Sequence, residues 1–114
     1  MISLIENNEK PAWLEYPAEY IDLIKSGKDE FLPWYLYDKD QLMIRYQGLQ
    51  KRYPDRHLFP FARDDNSDDV ACWEKDKPGK VVLIHDFASP GYENKLEFDS
   101  FKDWYSYVLS LEED

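Results

Sequence analysis

The sequence predicts an α+β fold, and three observations carry that prediction. Three segments place apolar residues at helical spacing, four shorter runs are rich in β-branched and aromatic residues, and Pro, Gly and acidic residues punctuate the joins between them. Helices lying outside a run of strands are the pattern of an α+β domain. With 114 residues, the chain is read as one domain, 1–114, large enough to bury a core.

The first helix is expected in "YPAEYIDLIKSG". Pro17 suits a first helical turn, Tyr16, Tyr20, Leu23 and Ile24 share a face, and Gly27 offers a stop. "PWYLY" reads as a strand. The second helix is expected in "DKDQLMIRYQGLQKRYP", where Asp38 and Gln41 have capping-box spacing, Leu42, Tyr46, Leu49 and Tyr53 form the stripe, and Pro54 ends it. Three strand-like runs follow: "HLFPF", "VACW" and "KVVLIHDF". "DKPGK" (Asp76–Lys80) carries a Pro-Gly turn signal, so the runs on either side read as a hairpin. The last helix is expected in "FDSFKDWYSYVLSLEED". Ser100 with Asp103 fits an S-x-x-D start, and Phe101, Trp104, Tyr105, Val108 and Leu109 form the apolar face.

A formal net charge of −10 argues against nucleic-acid binding through a broad basic patch, since few cations are left to displace phosphate counterions. It favours a basic protein partner. The charge is lopsided: residues 1–57 hold 10 acids and 8 bases, and residues 58–114 hold 14 acids and 6 bases. Such a field raises encounter rates with basic proteins. The single cysteine, Cys72, cannot form an internal disulfide. "MISLIENNEK" has no basic and apolar leader pattern, and no apolar run approaches the roughly 18 residues of a membrane span, so a cytoplasmic protein without a membrane segment is expected.

The stretch with most chemical promise is "LFPFARDDNSDDVACWEKD", with four aspartates in six residues. As a calcium loop, Asp64, Asn66 and Asp68 would fill the first three ligand positions. Asp69 then stands where the sharp turn needs Gly, and Lys75 stands where the loop needs a bidentate Glu. As catalytic carboxylates, the acids would need environments that push their pKa values apart, and one solvated connection does not supply that. An acidic turn between two strands is the simplest reading, with recognition of Lys and Arg on another protein as its functional form. His85-Asp86 matches the dipeptide of HD phosphohydrolases, but lacks that class's further His and Asp ligands and ends a strand-like run. Cys72 in "VACW" reads as apolar packing. Phosphate-loop, dinucleotide and nucleophile-elbow motifs are absent. No catalytic residue, metal or cofactor is therefore assigned. "FLPWYLY" (Phe31–Tyr37) crowds four aromatics. It reads first as a strand buried on both faces, and alternatively as a strand with one face at an interface.

The order of these elements resembles the SUKH superfamily, which holds fungal cell-wall assembly regulators and many small bacterial immunity proteins. "YPAEY" resembles that family's L-P-x-x-Y opening of the first helix. Residues 58–87 resemble its strand, acidic loop, strand, turn and strand ending near His-Asp, and "FDSFKDWYSYVL" resembles its F-x-x-F-L final helix. The resemblance spans about residues 16–109. Ser67 stands where the family's acidic loop commonly has Gly, and "KSGKDE" is shorter than the family's Asn-Gly region. The resemblance implies a central, largely antiparallel sheet with flanking N-terminal and C-terminal helices, and no enzymatic activity. It implies an immunity protein that occludes a cognate toxin, often a nuclease. On that reading Asp64, Asp65, Asp68, Asp69, Trp73 and Glu74 form the partner-binding surface. Two alternatives stay open: a regulatory scaffold of the same family, and a small hydrolase built on Cys72 or a His with Asp.

Overall fold

A strand buried at every position needs cover on both faces of its sheet, and Asp69–Glu74 is such a strand. The computed structural model, which describes residues 10–28, 30–31 and 33–113, shows how that cover is built. The segment expected to lack a leader pattern lies almost wholly at residues 1–9, outside the described residues. The elements run α1 (Ala18–Ser26), β1 (Glu30–Phe31), β2 (Trp34–Leu36), α2 (Lys39–Arg52), β3 (Leu58–Asp64), β4 (Asp69–Glu74), β5 (Lys77–His85), β6 (Asn94–Phe98) and α3 (Phe101–Glu113). The six strands form one antiparallel sheet in sequence order, so each strand pairs with its chain neighbours. This is the expected α+β class, with N-terminal and C-terminal helices flanking the sheet.

Local chemistry sets the helix ends. In α2, the Asp38 carboxylate accepts from the Gln41 N–H at 2.8 Å while the Gln41 side chain accepts from the Asp38 N–H, closing the expected capping box. Ser100 Oγ accepts the Asp103 N–H at 3.1 Å and starts α3. Gly27 ends α1 at φ 78°, a left-handed cap that costs glycine little. Pro17 precedes α1 as its cap residue and is not in its first turn, because its extended ψ of 145° is not helical.

Alternation along the strands separates two faces. One carries Ala71, Trp73 and Leu83, and α1 and α3 cover it. Phe61 stacks on Trp73 at 4.3 Å and meets Trp104 edge-to-face at 4.9 Å. Tyr20 of α1 meets both Trp73 and Phe101, and Trp34 of β2 meets Trp104 of α3. The opposite face carries Val70, Cys72, Val82 and Ile84, all buried. Helix α2 packs along β3, and its Tyr46 reaches Phe59 at 5.1 Å.

Three strand details differ from expectation. The hairpin turn is Lys75–Asp76, between the paired residues Glu74 and Lys77. Pro78 and Gly79 lie inside β5, where pairing jumps to Cys72 with Val82. Pro has no N–H to give the ladder, and Gly79 at φ 80° turns the chain out of it, so together they make a bulge and not the turn. Strands β1 and β6 carry too little signal to be read in advance: β1 has two residues, and four of the five residues of β6 are exposed.

Truncation at the centre of this packing is expected to cost far more than loss of a cap. Phe61→Ala should destabilise by about 3–5 kcal/mol, and Asp38→Ala by about 1 kcal/mol. Urea unfolding of both variants measures the difference.

Candidate functional site

The acidic stretch is a hairpin tip. Asp64 closes β3, Asp69 opens β4, and residues 65–68 join them. The tip is held by its backbone. The Asp65 N–H donates to the Pro33 carbonyl at 2.7 Å, and the Asp68 carbonyl accepts from the Asp86 N–H at 3.0 Å. Within the loop, Asp64 Oδ1 accepts the Asn66 N–H at 2.8 Å and Ser67 Oγ accepts the Asp69 N–H at 3.1 Å. Asp65 is exposed, and Asp64 and Asp68 are half-buried. None of these three carboxylates forms an ion pair with a described residue.

The other three residues assigned to the partner surface are internal, which corrects the sequence-based surface. Asp69 is buried and bonds His85 Nδ1 at 2.7 Å and the Lys95 ammonium. Burial alone would push its carboxyl up, but the Lys95 and His85 bonds outweigh it and hold the pKa below the usual carboxylate range. Trp73 is 3 % exposed, packed among Phe59, Phe61 and Tyr20. Glu74 faces α2 and takes a bidentate bond from Arg56, at 2.9 and 2.7 Å. Alternation explains the split: on a strand covered on both faces, no side chain reaches solvent sideways. Four acidic side chains, Asp69, Glu74, Asp86 and Glu93, are thus buried in the described residues, and each has a cation partner. Arg56 also bonds Glu93 at 2.8 Å.

Asp86 is the centre of a second arrangement. Its side chain is fully buried beyond the end of β5, and it accepts from Arg45, from Arg52 twice at 2.6 Å, and from the Phe87 N–H at 2.8 Å. Burial raises its pKa, but the two guanidinium groups and the N–H together hold it below the ordinary value. Phe87 stands at φ 68°, a left-handed conformation that is costly for a residue with a Cβ, and its ring is 60 % exposed. Arg52 lies over that ring at 4.1 Å. Gly48 allows Arg52 to fold back along α2, since a Cβ there would stand 2.6 Å from its guanidinium.

Between α2 and β2 these residues frame a groove of about 520 Å³. Arg45, Lys51, Arg52 and Arg63 line it together with Tyr35, Tyr37 and Phe87. The second reading of "FLPWYLY" thus has a structural counterpart: Trp34 and Leu36 are buried beneath α3, while Tyr35 and Tyr37 face the groove. Sequence reasoning missed this groove. One signal was present in α2, where Arg45 and Arg52 interleave with Leu42 and Leu49 at buried-stripe spacing. A cation there needs a buried acid opposite it.

Cys72 is fully buried, and burial pushes its thiol well above the ordinary value. His57 is exposed and lies before β3, and no described cluster of His, Cys, Asp and Glu has metal-holding geometry. Among the described residues no helix is long and apolar enough to cross a membrane. No family model, no curated protein and no solved structure matches the chain.

The Asp86 cluster gives a pH dependence. Asp69, Asp86 and Glu93 have folded-state pKa values below their unfolded ones. Their contribution is complete above the unfolded carboxyl pKa, about 4, and is lost as pH falls through the lower folded values. Stability to urea should be level near neutral pH and drop below about pH 4. Asp86→Asn should cost about 3–5 kcal/mol at neutral pH by stranding two guanidinium groups. It should also flatten the acid limb. Unfolding midpoints from pH 2 to 7 check both.

Proposed function

We propose that the protein is a non-enzymatic binding module that holds a basic protein partner through the tip of the β3–β4 hairpin, and that it works as an immunity protein occluding a toxin domain. The observation carrying this reading is the state of Asp64, Asp65 and Asp68. Asp69 and Glu74 on the same pair of strands are buried and paired, whereas these three form no ion pair with a described residue and sit on a tip fixed by backbone hydrogen bonds. Pre-organised carboxylates give up little entropy on meeting Lys or Arg, and their field speeds encounter. A site that binds phosphate must be rich in cations, so a nuclease active site is a chemically matched target. The SUKH resemblance points the same way and rests on the residues quoted above. A hydrolase built on Cys72 has little support, because Cys72 is sealed in the core with its thiol protonated. The regulatory-scaffold reading would use the same tip but block no enzyme.

The test uses Asn at all three positions, which keeps the Asp64 cap to Asn66 and removes the charge. Immobilised wild-type protein should retain a basic protein from its source cells at low salt and release it at high salt. The Asp64→Asn, Asp65→Asn, Asp68→Asn variant should slow that association by about tenfold or more, with an unchanged unfolding midpoint. Addition of the wild-type protein should suppress the captured partner's catalytic activity at equal molar ratio. Retention unaffected by the triple substitution would refute the assigned surface, and binding without inhibition would favour the scaffold.

A further inference from the structure

The groove between α2 and β2 has the opposite electrostatic character to the rest of the molecule. Four cations line it, Arg45, Lys51, Arg52 and Arg63, and among the described residues the one carboxylate paired with them is Asp86, buried beneath Arg45 and Arg52. Two cations therefore hold the buried acid, while Lys51 and Arg63 form no ion pair with a described residue. In a chain of formal net charge −10, this is a local concentration of positive charge.

Two further observations point to a ligand. Tyr37 is buried, and its hydroxyl, which has the Arg45 guanidinium beside it, has no acceptor for its proton among the described residues. The Arg63 Nε is also buried without one. Both residues line the groove, and buried donors of this kind are normally satisfied. The indole N–H groups of Trp73 and Trp104 also lack a conventional acceptor, but those rings stand edge-to-face against aromatic neighbours in the core. Tyr37 and Arg63 instead belong to the wall of the groove, with these two atoms sealed just behind its surface. The second observation is Phe87, an exposed ring held at positive φ by the Asp86 carboxylate, with Arg52 across it. A strained, exposed aromatic at the rim of a cationic groove is a feature that packing alone does not call for.

We propose that this groove binds a small anion carrying a flat ring, of the nucleoside monophosphate class. The guanidinium of Arg63 and the ammonium of Lys51 donate to the oxyanion, Tyr37 backs them in the groove wall, and Phe87 and Tyr35 flank the ring. The volume of about 520 Å³ lies within the range of small-ligand sites. Arg45 and Arg52 are positioning residues: held by Asp86, they fix Phe87 and supply background positive charge. This site stands apart from the hairpin tip, which has the opposite charge, so either can fail alone.

The experiment is an amide chemical-shift titration of the full chain with adenosine monophosphate, run beside adenosine and inorganic phosphate. Adenosine monophosphate should shift the amides of α2, Tyr35, Arg63 and Phe87 with submillimolar affinity, and each half-ligand should bind at least tenfold more weakly. Arg63→Gln should weaken binding about tenfold. Lys51→Gln, at an exposed position on the groove side of α2, carries the same expectation if Arg63→Gln does not fold. The Asn triple variant at the hairpin tip should bind as wild type does. Absence of shifts would overturn the proposal. So would phosphate alone binding as well as the nucleotide, or full affinity in Lys51→Gln.

Discussion

The carboxylate of Asp86 is the interaction on which the upper half of this molecule depends. It receives two arginines from α2 and an amide from Phe87, and so ties the one helix on its side of the sheet to the far end of β5. A buried charge without partners is costly, and a buried pair is tolerated only when its remaining bonding capacity is satisfied. Asp86 meets that condition with bonds that cross more than thirty residues of chain. The position of α2, the left-handed turn at Phe87 and the groove beside β2 all follow from it.

The same requirement sorts charge over the rest of the protein. Because both faces of β4 are covered, Asp69 and Glu74 are buried and each takes a cation, Lys95 and Arg56, while the His85 ring also bonds Asp69. Asp64, Asp65 and Asp68 are left with a fixed backbone and no ion pair with a described residue, though Lys95 lies close enough to Asp64 to feel its charge. The functional proposal thus grows from the contrast within one hairpin: Asp69 and Glu74 are buried and paired, while Asp64, Asp65 and Asp68 at its tip form no ion pair with a described residue.

Much of the fold was legible in the sequence. Capping residues and helical stripes are local signals, so Asp38–Gln41, Ser100–Asp103 and Gly27 mark their helices directly. The central strands announced themselves as continuous apolar runs. The edges did not: β1 is too short for a pattern, and β6, as Asn-Lys-Leu-Glu-Phe, offers only Leu96 and Phe98 in alternation and is mostly exposed. The site was half legible. Composition identifies an acidic turn, but which aspartates point inward is settled by partners far away in sequence, His85 and Lys95 for Asp69, and Arg56 for Glu74. "DKPGK" misled for a related reason: Pro-Gly marks a departure from regular pairing, and a bulge is such a departure as much as a turn is.

The account's central claim, that recognition charge is confined to the β3–β4 tip, is tested most directly by amide chemical-shift mapping of the wild-type protein with a short lysine-rich peptide at low salt. The account predicts shifts confined to residues 64–68 and their backbone anchors at Pro33 and Asp86, fading as salt rises. Shifts centred on other exposed acids, such as Glu19 and Asp22 of α1 or Asp103 of α3, would contradict it.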